Sequence, residues 1–129
     1  MQPDALAHWH QLVEGRKADG LDSLLSDKVV FYSPVVHTPQ VGKAITKQYL
    51  AAAFCVFGNE SFRYVREIAC ERDAVLEFQV EIEGISVNGV DMLKWDEAGQ
   101  IVELKVMLRP LKAVNLIQQK MAAMLQAGR

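Results

Sequence analysis

An aspartate on the apolar side of a strand is the first residue here whose type and spacing could do chemistry. Within residues 85–96, Ile85, Val87, Gly89, Asp91, Leu93 and Trp95 share one parity, and Ser86, Asn88, Val90, Met92, Lys94 and Asp96 share the other. Successive strand residues point to opposite faces, so Asp91 is expected to turn inward with Val87 and Leu93. A carboxylate among apolar groups must find donors or take up a proton. Burial raises its pKa, and a protonated Asp donates as well as accepts a hydrogen bond, which equips it as a general acid or oxyanion donor. The competing reading is structural: Asp91 satisfies nearby donors and shapes the sheet. A bulge at Gly89 would reverse the parity altogether.

His37 follows the first strand candidate by four residues, in a loop beside Pro39. Histidine titrates near neutrality and suits a general base; a plain surface-loop histidine is the alternative. His8 and His10 stand two apart on a helix and face different sides, so no metal site is expected from them. Cys55 lies in an apolar run and Cys70 ends one, which predicts buried free thiols. No phosphate loop or nucleophile elbow is present, so any chemistry is expected to need no cofactor.

The elements that must position these groups divide the chain into a helical half and a β half. Asp4 can cap a helix carrying Leu6, Trp9 and Val13, and residues 21–25 read as a short second helix. Residues 29–33 form a β-branched and aromatic strand that Pro34 stops. Gly42 opens a long apolar helix that Gly58 and Asn59 end. Residues 62–70, 74–83, 85–96 and 101–109 are four strands joined by short turns, which favours antiparallel neighbours. After Pro110, a stripe of Val114, Ile117, Met121 and Met124 marks a C-terminal helix that packs on a neighbour or a second subunit.

Parity names the residues that would line a space between helices and sheet. Leu76, Phe78, Val80 and Ile82 alternate with Glu77, Gln79, Glu81 and Glu83; Val102, Leu104, Val106 and Leu108 alternate with Glu103, Lys105, Met107 and Arg109. Candidate ligand contacts are therefore Phe31 and Ser33 on the first strand, Phe78, Val80 and Leu93 in the middle, and Leu104, Val106 and Leu108 on the last. The long helix adds Tyr49, Phe54 and Phe57, for which plain core is the alternative. Arg66 shares parity with Tyr64 and Ile68 and is expected on a solvated face. The mixed outer face, with Met92 and Met107, predicts a homodimer through the outer side of the sheet.

Composition bounds the partners. The chain has 129 residues, 50% of them hydrophobic and 23% charged, with a formal net charge of -2. One domain over residues 1–129 is expected, with a real core or a lined cavity. A nucleic-acid footprint would need a basic excess, and a membrane span about 20 consecutive apolar residues; neither is present. The start of the chain lacks the pattern of a signal peptide, so a cytoplasmic protein is expected.

The order of elements resembles the NTF2-like superfamily, and within it the SnoaL-like polyketide cyclase and ketosteroid isomerase-like branch. The likeness spans about residues 4–110. It is carried by residues 18–27, by Phe31-Tyr32-Ser33-Pro34 with Gly42-Lys43-Ala44-Ile45, and by Val90-Asp91-Met92-Leu93-Lys94-Trp95-Asp96 with Gly99-Gln100-Ile101-Val102. It implies an α+β cone, also called cystatin-like: N-terminal helices packed on a strongly curved, mainly antiparallel sheet, here with an extra C-terminal helix. Ketosteroid isomerase joins an Asp base to an oxyanion hole of Tyr and protonated Asp. By that resemblance Asp91 takes the place of the protonated Asp, Trp9 that of the Tyr, and Ser33 that of the base. Serine there is no proton acceptor near neutrality, so steroid isomerisation is not expected. Limonene epoxide hydrolase has an Arg two residues before its Asp, where this chain has Gly89. Two readings follow. One is an enzyme doing cofactor-free acid–base chemistry on a small hydrophobic, carbonyl-bearing molecule, with Asp91 as acid, Trp9 as second donor and His37 as base. The other is a ligand-binding or dimerisation module without turnover.

Overall fold

The computed structural model describes residues 5–127; Asp4 and its expected cap lie outside them. Helix α1 (Ala5–Gly15) leads through a 3-10 turn into the short α2 (Leu21–Leu24) and then strand β1 (Leu25–Tyr32). A short β2 (Gln40–Val41) precedes the long helix α3 (Lys43–Phe57). Four strands follow, β3 (Arg63–Cys70), β4 (Asp73–Ile82), β5 (Ile85–Trp95) and β6 (Ile101–Arg109), and helix α4 (Leu111–Ala127) closes the described chain.

The strands form one sheet in the order β2-β1-β6-β5-β4-β3. Every pairing is antiparallel except β1 with β6. The tight β4–β5 turn places Glu83 and Gly84 both at positive φ, 52° and 80°, the backbone that a two-residue hairpin requires. From Asp73↔Lys94 to Ile82↔Ile85 the β4–β5 register runs without a shift. Gly89 therefore carries no bulge in that pairing, and the parity of Asp91 stands. Irregularities lie elsewhere: in β1 between Leu25 and Val30, in β3 between Tyr64 and Arg66, and in β6 at Val102, between Ile101 opposite Trp95 and Glu103 opposite Lys94. Such bulges bend strands and increase twist.

The bulge in β3 corrects one expectation. Tyr64 pairs with Phe78 on the inner face, whereas Arg66 pairs with Glu77 on the outer one. Val65 is the extra residue, so Tyr64 and Arg66 no longer share a side. Arg66 reaches solvent and meets Glu77 across 3.5 Å. The cysteines also differ from expectation, for both are exposed. Cys55 falls on the outward side of α3, and Cys70 ends β3, an edge strand with little cover on either face.

Two apolar clusters fill the space between helices and sheet. One gathers Trp9, Leu12, Leu21 and Leu24 over Val29, Leu76 and Leu104; the other gathers Ala113, Ile117 and Met121 of α4 over Phe78, Val80 and Val87. The buried stripe of α4 is thus Ala113–Ile117–Met121, at spacings of four, with Val114 only half-buried. α4 packs on α3, β5 and β6 of its own chain. No described helix is long and apolar enough to cross a membrane.

Candidate active site

Helices and sheet part to leave a cavity of about 580 Å³. Phe31, Phe54, Phe57, Phe62, Phe78 and Val106 supply apolar wall, and Ile117 and Met121 of α4 close one side. Asp91 enters this space from β5, opposite Leu76 of β4 and Val106 of β6. It is 8% exposed and is the one buried carboxylate among the described residues.

Three side chains from three elements form a single hydrogen-bonded file. Trp9, on the buried side of α1, donates its indole N–H to Tyr64 Oη at 3.0 Å. Tyr64, turned inward by the β3 bulge, donates its O–H to Asp91 Oδ2 at 2.7 Å. Rings on several sides hold Tyr64 in place: Phe62 at 5.2 Å, His10 at 5.3 Å and Phe78 at 6.4 Å between centroids. Asp91 Oδ1 takes no hydrogen bond among the described residues, and the carboxyl lines the cavity.

Burial pushes the Asp91 carboxyl up to about 6, against the hydrogen bond from Tyr64, which pulls it down. Burial and the neighbouring Asp91 charge drive the Tyr64 phenol well above its usual range, so it stays protonated and keeps donating. At neutral pH the carboxylate form of Asp91 leads by roughly ten to one, with the acid form close at hand. A carboxylate anchored through one oxygen and facing an apolar space through the other can take up a proton there and give it back.

The structure sorts the sequence candidates. Trp9, Phe31, Ser33, Phe54, Phe57, Phe78, Asp91 and Val106 all border the cavity. Tyr49, Val80, Leu93, Leu104 and Leu108 do not: Val80, Leu93 and Leu104 are buried in the two clusters, and half-buried Tyr49 and Leu108 pack against them. Trp9 is no free donor to a ligand, because its N–H is committed to Tyr64. His37 does not join the residues at the cavity: it is exposed and does not border it, whereas Pro34 and Val35 earlier in the same loop do. Tyr64 is the residue that sequence reasoning missed, because strict alternation paired it with the solvated Arg66.

A family model described as a SnoaL-like domain matches residues 6–104. The chain belongs to the SnoaL-like family. Among solved structures, this SnoaL-like protein is similar to a steroid delta-isomerase from Pseudomonas aeruginosa, with 34% identity and a TM-score of 0.90 over 95% of this chain and 90% of that one. It is similar also to an uncharacterized bacterial protein with a cystatin-like fold from Silicibacter pomeroyi DSS-3, at 29% identity and TM-score 0.86, covering 95% and 85% of the two chains. SalBIII, an epoxide hydrolase/cyclase-like enzyme of pyran ring formation in salinomycin, shares the fold at 15% identity and TM-score 0.66, over 82% and 88%. No curated protein matches the SnoaL-like chain by sequence. The architecture is the NTF2-like, or cystatin-like, α+β fold, which the steroid delta-isomerase and SalBIII share.

Proposed function

We propose that this SnoaL-like protein is an enzyme of isomerase or cyclase type that works without a cofactor on a small hydrophobic, carbonyl-bearing molecule in the cavity. The observation that carries the reading is Asp91: a buried carboxyl held at 2.7 Å by Tyr64 and facing an apolar space. In an isomerisation, Asp91 Oδ1 takes a proton from the carbon beside the ligand carbonyl. It returns the same proton to another carbon of the resulting enol system, so the carboxylate is regenerated. In a cyclisation by conjugate addition, Asp91 takes the proton of the ligand hydroxyl as its oxygen bonds to the carbon β to the carbonyl. It returns that proton to the α-carbon, which receives the electron pair of the broken C=C π bond. Tyr64 positions the carboxyl, and Trp9 positions Tyr64.

Ser33 supports the reading from the far side of the cavity. Its Oγ accepts the N–H groups of Val35 and Val36 at 3.2 and 3.3 Å. Its own O–H is left to donate to a ligand oxygen. The parallel register Tyr32↔Lys105 brings Ser33 beside Val106, which pairs with Asp91. Two strand spacings, about 10 Å along the sheet, separate the two residues, a span that a small ring system bridges. The steroid delta-isomerase likeness favours a carbonyl substrate. Ser33 lacks a carboxylate, so the cavity offers one buried acid–base group where ketosteroid isomerase has two. The exposed Ile68, Met92 and Met107 on the outer sheet face support a homodimer through that face.

Incubation with unsaturated and hydroxylated ketones in heavy water tests the reading. Wild-type protein is expected to exchange protons beside the carbonyl or rearrange the compound, and Asp91→Asn to do so about 10²–10⁴-fold more slowly. Equal rates in the two proteins would discard the enzyme and leave a binding module.

A further inference from the structure

We propose that the cavity's ligand is a hydrophobic monoanion whose carboxylate is received at the mouth by Arg16, with Arg63 also on the rim. This rests on the reading above that the cavity is the ligand site. The evidence begins in the backbone. Helix α1 ends with Arg16 N–H on Val13 O and Lys17 N–H on Leu12 O, both at 3.3 Å. That closure puts Arg16 in the left-handed region, φ 52°. Glycine is the usual occupant of such a position, because a β-carbon is disfavoured there. Here the nearby glycine, Gly15, stands one residue too early, and an arginine bears the strain.

A second feature accommodates the same side chain. Arg16 lies across Gly58 at the end of α3, where a Cβ would come within 2.7 Å of Arg16 Cδ and 3.1 Å of Nε. Gly58 has an ordinary negative φ of -79°, and close approach requires glycine there: a Cβ would meet first the Phe54 carbonyl oxygen and then the Arg16 side chain laid across it. Arg16, Gly58 and Arg63 all border the cavity. Among the described residues neither arginine has a carboxylate within 4.0 Å, although Glu14 and Glu60 line the same opening. A guanidinium fork matches one carboxylate in two hydrogen bonds. With two glutamates beside two arginines the rim has no net charge with which to hold a polyanion, whereas a single carboxylate needs only one guanidinium fork.

Two dyes with the same aromatic body test the proposal: anilinonaphthalene sulfonate, whose sulfonate stands in for the carboxylate, and neutral N-phenylnaphthylamine. Fluorescence titration of wild type is expected to show the sulfonate held about 10-fold tighter. Arg16→Gly and Arg16→Gln should lose that preference and keep the neutral dye. Arg16→Gly should in addition melt about 3 °C higher, because it relieves the left-handed strain. A sulfonate affinity unchanged in Arg16→Gly, or a wild type with no preference between dyes, overturns the anion site and leaves the cavity reading standing. Failure of wild type to bind either dye overturns both.

Discussion

Replacing Asp91 by Asn is expected to make the folded protein more stable at neutral pH, even as it removes the proposed acid–base group. The magnitude follows from the carboxyl's surroundings. Its pKa rises from an ordinary 3.8 to about 6 because burial disfavours the charge more than Tyr64 relieves it. Each pKa unit is worth 1.36 kcal/mol, so holding the ionised form inside costs about 3 kcal/mol above the folded pKa. The sign is fixed by proton counting. Between about pH 4 and about pH 6 the folded state binds more protons than the unfolded state, so this contribution is fully present below the unfolded pKa and is lost as pH rises. Asparagine has no charge to lose, and its amide oxygen still accepts from Tyr64. The stability difference between Asp91→Asn and wild type should therefore be near zero at about pH 4 and grow to about 3 kcal/mol by about pH 7. In a chain of this length that equals roughly 10 °C in melting temperature. Paired urea titrations across this range read the difference directly, and other carboxylates cancel in it. A constant difference, or a wild type that gains on the variant as pH rises, would refute the assignment of Asp91 as a desolvated carboxyl.

Tyr64→Phe removes the donor that pulls the Asp91 pKa down and leaves the Trp9 N–H without its acceptor; the acid limb of the pH–rate profile should move to higher pH, and urea melts should show a loss of roughly 1–3 kcal/mol. An unmoved limb would show that Tyr64 does not act on Asp91. Gly89→Ala places a Cβ 2.5 Å from Phe78 Cζ and 2.8 Å from the Met107 carbonyl oxygen, and is expected to destabilise by about 1–3 kcal/mol in the same assay. Met107→Glu should convert a wild-type dimer to monomer in sedimentation equilibrium at micromolar concentration, since Met107 is 50% exposed on the outer sheet face; a wild type that sediments as monomer removes the dimer.

Element types were legible in the amino-acid order because each carries a local signal. The period of two in β4 and the two-residue turn at Glu83 and Gly84 settle the β4–β5 hairpin between them, and the hairpin alone is enough to turn Asp91 inward. The apolar stripe and Pro110 announce α4 in the same way, although its buried line runs through Ala113 in place of Val114. The aromatic character of Phe31, Phe54, Phe57 and Phe78 marked them for an interior, and all four border the cavity.

Which inward residues meet open space was decided only by the tertiary structure. Leu93 and Asp91 share a strand face, yet Leu93 is covered by packed side chains while Asp91 looks into the cavity, a difference set by where the helices cross above the sheet. Tyr64 owes its inward direction to one extra residue in β3, which pairing with β4 reveals and alternation conceals. His37 looked like a base by chemistry and distance along the chain, but it is exposed and does not border the cavity, whereas Pro34 and Val35 of the same loop do. Local periodicity records what a residue wants from its own strand or helix. The file Trp9–Tyr64–Asp91 joins α1, β3 and β5 across sequence separations of 55 and 27 residues, and only the packing of those elements brings its atoms within hydrogen-bond reach.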